Sequence, residues 1–193
     1  MKPLEGLLAA IRAATTWLAA SEVPHAIVGG VAASLHGKPR VTKDVDLVAL
    51  AEDSTWSALL EAARKQKIQP RIQAPLDFAK TTRVLLLVHK PSAIEIDLSF
   101  GMLPFEREVV ERAVQRKVKA VSFSLATAED VVVMKALALR PRDVVDIEGI
   151  LDAVPDLDLE RVRKIVSQLS AALEGEDHLA RLEAIVHQAR QRR

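Results

Sequence analysis

Residues 26–50 read AIVGGVAASLHGKPRVTKDVDLVAL, and this stretch decides the fold. A short apolar strand, Ala26 to Val28, runs into Gly29-Gly30, and a helix is predicted over Val31 to His36. The basic loop Gly37-Lys38-Pro39-Arg40 then leads to a second strand, Val45 to Leu50, introduced by Asp44 and Asp46. Paired glycines let a backbone approach an anion closely, and the free N–H groups of the helix that follows favour negative charge. Carboxylates at i and i+2 of a strand project from the same face with Cα atoms roughly 6.6 Å apart. Such a pair suits one or two hard divalent cations held against a triphosphate. The same face continues with Val48 and Leu50, so the acids sit at the start of the strand, beside the glycine turn. An isolated Asp-x-Asp is also what a turn with aspartate caps looks like. The strand-Gly-Gly-helix unit in front of it is what favours metal chemistry.

Outward from this stretch, the pattern alternates strands and helices and then becomes all helical. Leu4, Leu7, Leu8, Ile11, Ala14 and Leu18 recur at helical spacing, predicting a helix over residues 4–20 with Pro3 in its first turn. Asp53 or Ser54 caps a predicted helix reaching about Gln66, with Trp56, Leu59, Leu60 and Ala63 facing inward. Ile68 to Ile72 reads as an edge strand interrupted by Pro70. The apolar run Arg83 to His89 predicts a central strand buried on both faces. In Ala93 to Phe100, Ile94, Ile96, Leu98 and Phe100 alternate with Glu95, Asp97 and Ser99, so one face is core and the other polar. A helix from Pro104 to about Ala113 and a short strand near Val118 to Val121 follow. Thr127 with Asp130 is a capping-box-like start for a helix over Ala128 to Leu139, which Arg140-Pro141 ends. Further helices are predicted over Asp143 to Val154, Leu159 to Leu173 and Asp177 to Gln191, the last two separated by Glu174-Gly175-Glu176. The fold class is α+β (α/β mixed): a mixed sheet flanked by helices over residues 1–123, then a helical bundle over residues 124–193.

Asp97 is the natural third carboxylate. A strand pairing beside Val45 to Leu50 brings it toward Asp46, where it can act as ligand or as base toward an attacking hydroxyl. Glu95 shares its face, and a solvated polar sheet face remains the alternative for both. Lys135 is the one polar side chain between Val131 and Leu139. A buried lysine needs a partner, so its ammonium either reaches solvent or meets anions. Asp143 and Asp146, one turn apart on the next helix, can hold it toward a phosphate or form a purely structural ion pair with it. Around the loop stand Ser34, His36, Lys38, Arg40 and Lys43. Arg40 is the best phosphate candidate because guanidinium binds phosphate bidentately, whereas His36 reads as a packing or loop-capping residue.

Composition narrows the function classes. The chain of 193 residues is 49% hydrophobic and 27% charged with a formal net charge of +1, so its composition encodes no general electrostatic grip on nucleic acid. It has no cysteine, which excludes disulfides, thiolate metal sites and cysteine nucleophiles and fits a cytoplasmic protein. No second histidine lies at zinc-ligand spacing. The amino terminus is too interrupted by charge for a signal peptide or a membrane span. Aromatic content of 3% leaves few platforms for base stacking, and the C-terminal ARQRR is either an RNA phosphate contact or a solvated tail.

Taken together, Val28-Gly29-Gly30, Asp44-Val45-Asp46 and the later Asp97 resemble the DNA polymerase β-type nucleotidyltransferase superfamily. Within it, His36-Gly37-x-x-Arg40-x-Thr42-x-Asp44-x-Asp46 is similar to the bacterial AbiEii toxin-like nucleotidyltransferases. So is the series Lys135, Arg140 and Asp143-Val144-Val145-Asp146-Ile147. The resemblance covers about residues 25–150. It implies transfer of a nucleoside monophosphate from an NTP with Mg²⁺ (or Mn²⁺), often onto RNA such as the tRNA 3′ end, and a cognate antitoxin partner. On that basis Gly29 and Gly30, with Ser34 and Arg40, contact phosphate, and Asp44, Asp46 and Asp97 hold metal. Lys135 neutralises the triphosphate, and Asp143 or Asp146 orients it or assists deprotonation of the acceptor. Protein adenylylation, or a catalytically silent member that binds nucleotide, RNA or a partner, are the other readings of the same residues.

Overall fold

The structure, a computed structural model, describes residues 3–172 and 177–191. The chain divides into two compact units, one of Met1–Val31 with Val41–Ala126 and the other of Ala32–Arg40 with Thr127–Arg193. Composition placed the change of character at Ser124; the structural division follows Ala126, and the loop after the glycine pair goes with the helical unit. Glu174-Gly175-Glu176, read as a helix separator, lies outside the described residues, as do Arg192 and Arg193 of the basic tail.

The first unit is built on a seven-stranded mixed sheet: β1 (His25–Ile27), β2 (Asp44–Ala49), β3 (Ile68–Pro70), β4 (Val84–His89), β5 (Ile94–Phe100), β6 (Val114–Val118) and β7 (Val121–Leu125). Their spatial order is β3-β4-β5-β2-β1-β7-β6. The β2–β5 and β1–β7 pairs are parallel and the others antiparallel. Period-two alternation makes one face of the sheet the core: Val45, Leu47, Ala49, Leu85, Leu87, Ile96, Leu98 and Phe100 are all buried. Helix α1 (Pro3–Ala20) packs across β2, β5 and β7 through Ile11, Ala14, Trp17 and Leu18. The Trp17 indole N–H donates to Leu59 O at 2.8 Å and so ties α1 to α3 (Trp56–Ala63). Trp56 stacks on Phe100 with ring centroids 4.1 Å apart, and the Arg83 guanidinium lies 5.1 Å from the Trp56 centroid.

Two sequence expectations need correction in this unit, and one helix carries no periodic signal. β4 is not buried on both faces: Leu85, Leu87 and His89 are buried, but Val84, Leu86 and Val88 are half-buried because they share the face of Glu95 and Asp97. The short strand expected near Val118 to Val121 is instead the turn of the β6–β7 hairpin, with Lys119 in the left-handed region at φ 53°. Residues 75–82, unassigned by periodicity, form α4 (Pro75–Thr82), whose start carries a proline in the first turn. α5 (Pro104–Glu111) packs beside β1 and β2, and its first-turn Glu106 accepts hydrogen bonds from the Met102 and Leu103 N–H groups at 2.7 and 2.9 Å.

α2 (Gly29–His36) contributes its first residues to the first unit and the rest to the second. The second unit otherwise consists of α6 (Ala128–Ala138), α7 (Pro141–Ala153), α8 (Leu159–Ser170) and α9 (His178–Gln191). Val131, Ala136, Ile147, Ile150, Val162, Val166, Leu182 and Val186 form its core. Thr127 caps α6 as expected, accepting from the Asp130 N–H at 3.2 Å. The Asp130 carboxylate does not close a capping box; it receives Arg161 Nη2 at 3.2 Å. Leu139, in the left-handed region, ends α6. Arg140 is extended, as a residue before proline must be, and α7 therefore starts at Pro141 rather than Asp143.

Candidate active site

The parallel register of β2 and β5 assembles the acids. Asp46 lies opposite Asp97 and Asp44 opposite Glu95, all four on one face of the sheet. Adjacent strands run about 4.8 Å apart, so side chains in these positions are within reach of one another. Asp46 and Asp97 are half-buried, while Asp44 and Glu95 are exposed. Farther along β2 the face closes: Val48 is buried, and Gly101 lies among Val48, Leu50 and Glu106. The acids therefore occupy the more open end of this face.

The glycine pair is tied directly to the second acid. Gly29 has φ +60°, and a Cβ there would stand 2.6 Å from Asp46 Cγ and closer still to Oδ2. Position 29 thus needs glycine twice, for its backbone conformation and for the space the carboxylate fills. The Gly30 N–H at the start of α2 donates to Asp46 Oδ2 at 3.3 Å, and the Val28 N–H to Asp46 O at 3.0 Å. The turn orients Asp46 through its backbone.

Arg71 joins this cluster and was not foreseen. Its N–H donates to Leu86 O at 3.0 Å, extending the β3–β4 pairing by one residue. Leu86 is in turn opposite Asp97. The guanidinium spans β4, with Nη2 2.6 Å from Asp97 Oδ1 and 3.6 Å from Glu95 Oε2. Burial works against the charge of Arg71, but the hydrogen bond to Asp97 and the charges of Asp97, Glu95 and Asp44 outweigh it and hold the group above its ordinary pKa. Among the described residues, no three acidic or histidine side chains are gathered as a ready metal cage. The donors on this face are nonetheless all carboxylate oxygens, the hard ligands that Mg²⁺ and Mn²⁺ take, and a cation already stands among them.

The remaining sequence candidates meet in the second unit. Lys135, 6% exposed, gives its ammonium to Asp143 Oδ1 at 2.8 Å and Asp146 Oδ2 at 2.7 Å. Asp143 Oδ2 also accepts the Arg140 N–H at 3.0 Å, so one carboxylate caps α7 and holds the lysine. Arg40 binds Asp146 bidentately, Nε to Oδ1 at 2.7 Å and Nη2 to Oδ2 at 2.9 Å. Burial pushes the Asp146 carboxyl up, but the hydrogen bonds and charges of Arg40 and Lys135 outweigh it and keep it below its ordinary pKa. Ser34 Oγ donates to Arg40 O at 3.3 Å. A Cβ on Gly37 would stand 2.8 Å from the Gly149 carbonyl carbon and from Ile150 N, so the loop and α7 approach backbone to backbone. Lys38 adds an exposed pair to Asp152 at 2.7 Å. The structure brings Asp44, Asp46 and Asp97 together with Gly29 and Gly30, and Arg40, Lys135, Asp143 and Asp146 together with Ser34.

Comparison with solved structures finds the same fold. A nucleotidyltransferase-like antigenic protein from Paracoccidioides brasiliensis is 17% identical, with a TM-score of 0.53 over 86% of this chain and 88% of that one. The solution structure of the antibiotic-resistance factor ANT(2″)-Ia is 15% identical, with a TM-score of 0.57 over 97% and 100%. The crystal structure of ANT(2″)-Ia with adenylyl-2″-tobramycin is 13% identical, with a TM-score of 0.58 over 86% and 98%. No curated protein matches the chain. No helix among the described residues is long and apolar enough to cross a membrane. The family model described as "Nucleotidyltransferase of unknown function (DUF6036)" matches residues 5–191, nearly the whole chain, and the protein belongs to that nucleotidyltransferase family.

Proposed function

We propose that the protein transfers a nucleoside monophosphate from an NTP to an acceptor hydroxyl, with RNA, the tRNA 3′ end in particular, as the acceptor. The observation that carries this reading is the β2–β5 register, which sets Asp46 opposite Asp97 beside a glycine turn that orients Asp46. Asp44, Asp46 and Asp97 would hold a divalent ion, Mg²⁺ or Mn²⁺, which would supply positive charge against the triphosphate and lower the pKa of the attacking hydroxyl. In the reaction the acceptor oxygen bonds to the α-phosphorus, the bond from that phosphorus to the bridging oxygen breaks, and pyrophosphate leaves. A carboxylate of the cluster takes the hydroxyl proton. Gly29 and Gly30 shape the turn against which phosphate lies. Lys135, Asp143, Asp146 and Arg40 act as positioning residues that fix α6, α7 and the 37–40 loop within the second unit.

RNA is favoured as acceptor by the resemblance of the His36–Asp46 stretch to AbiEii-like toxins and by the exposed basic edge at Arg116, Lys117 and Lys119. On that reading the protein works in the cytoplasm as the toxin of a toxin–antitoxin pair, restrained by an antitoxin protein. The test is incubation with Mg²⁺, each α-labelled NTP in turn, total RNA, cell lysate and an aminoglycoside. Label in RNA is expected, and Asp46→Asn lowers it by about a hundredfold, the upper end of what perturbing a metal site costs. Label in protein moves the acceptor to protein adenylylation, and label in the aminoglycoside moves it to the kind of product seen with ANT(2″)-Ia. Transfer undiminished by Asp46→Asn refutes the assignment of the acids.

A further inference from the structure

We propose that Arg71 is a resident counter-ion of the acid face, which neutralises Asp97 and Glu95 until a divalent cation displaces it, so that metal loading is a cation exchange. This rests on the reading of Asp44, Asp46 and Asp97 as metal-holding acids. The register places two pairs of like charges directly opposite each other, Asp46 with Asp97 and Asp44 with Glu95, an arrangement that destabilises adjacent strands unless a cation offsets it. Arg71 supplies one. Its guanidinium takes Asp97 Oδ1 at 2.6 Å, occupying one of the two oxygens that a hard cation could use. The two cannot share that oxygen at full strength.

The attachment of Arg71 is suited to exchange. Its backbone is pinned by the hydrogen bond to Leu86 O, while the guanidinium is held by the ion pairs to Asp97 and Glu95, with the side chain 27% exposed. It can therefore swing off Asp97 without disturbing the sheet. A guanidinium released beside the acids stands where a bidentate contact to a phosphate becomes available. A purely structural pair would hold β3 to β5 equally well with or without metal. The exchange instead requires apo stability and metal affinity to move in opposite directions when Arg71 is lost.

The experiment is calorimetric titration of the full chain with Mn²⁺ alone, without nucleotide, alongside thermal unfolding with and without Mn²⁺. Arg71→Gln is expected to bind Mn²⁺ about tenfold more tightly than the wild type, the equivalent of one charge-assisted interaction relieved. It also unfolds at lower temperature without metal and gains more from Mn²⁺ than the wild type does. Arg71→Lys keeps a charge but not the fork that spans Asp97 and Glu95. It shows a smaller gain in the same direction and carries the test if the glutamine variant does not fold. Wild-type binding that either variant leaves unchanged or weakens overturns the role of Arg71 alone. Absence of Mn²⁺ binding by wild type and variants alike overturns the metal-holding reading of the acids, and this inference with it.

Discussion

Replacing Lys135 by Met separates a structural lysine from one that reaches substrate. The ammonium makes two charge-assisted hydrogen bonds, to Asp143 at 2.8 Å and Asp146 at 2.7 Å, and both carboxylates are 7% exposed. Breaking one member out of a buried ionic cluster costs about 3–5 kcal/mol, because uncompensated charge stays behind. Here Asp146 keeps Arg40 and Asp143 keeps the Arg140 N–H, and methionine still fills the space of the lysine stem. The expected loss is therefore at the low end, about 3 kcal/mol, a sizeable share of the 5–15 kcal/mol typical of a folded chain. Urea unfolding at pH 7, followed by circular dichroism, measures it. A loss below about 0.5 kcal/mol, within the range of an ordinary surface substitution, together with abolished nucleotide transfer would refute this reasoning and return Lys135 to the phosphate.

Gly29→Ala must place a Cβ on the Asp46 carboxylate at a backbone φ of +60°. It should lower stability by about 2 kcal/mol in urea unfolding and abolish Mn²⁺ binding in calorimetry, whereas Gly30→Ala, at a helical position, should do less. Asp146 is held below its ordinary pKa, so its contribution is complete above the unfolded value of about 4 and is lost as pH falls through the lower folded value. Asp146→Asn should accordingly be less stable than the wild type at pH 7, with a flatter decline below about pH 4 in acid unfolding.

The parts of this fold legible in the sequence are those set by local pattern. Alternation in Ile94–Phe100 places its faces correctly, helical spacing in α1 does so from Leu8 onward while Leu4 is exposed, and Thr127 marks the start of α6. What pattern misses is set by partners distant in the chain. β4 reads as an all-apolar run, yet its Leu86 lies on the acid face because of the antiparallel register with β5. Arg71 follows a proline at the end of a three-residue edge strand and carries no local signal. Only the β3–β4 and β4–β5 registers together bring it to Asp97. Tertiary pairing, not propensity, decides such positions.

The same argument joins two motifs that the sequence shows as separate. His36-Gly37-x-x-Arg40 and the Lys135–Asp146 series each suggest phosphate chemistry when read alone. In the fold they are the two sides of one contact within the helical unit. Gly37 meets Gly149 backbone to backbone, Lys38 meets Asp152, and Arg40 and Lys135 share Asp146. A Cβ at 149 would press on Lys38 N at 3.2 Å, and loss of Asp146 would remove the bidentate partner of Arg40. These contacts hold the 37–40 loop against α7 within the helical unit. The acids of β2 and β5 instead oppose one another by register, like charge against like, with Arg71 paired to Asp97 and Glu95 and the Gly30 N–H to Asp46. The proposed function accordingly assigns the chemistry to Asp44, Asp46 and Asp97, where like charges are brought face to face, and the scaffolding to Arg40, Lys135, Asp143 and Asp146.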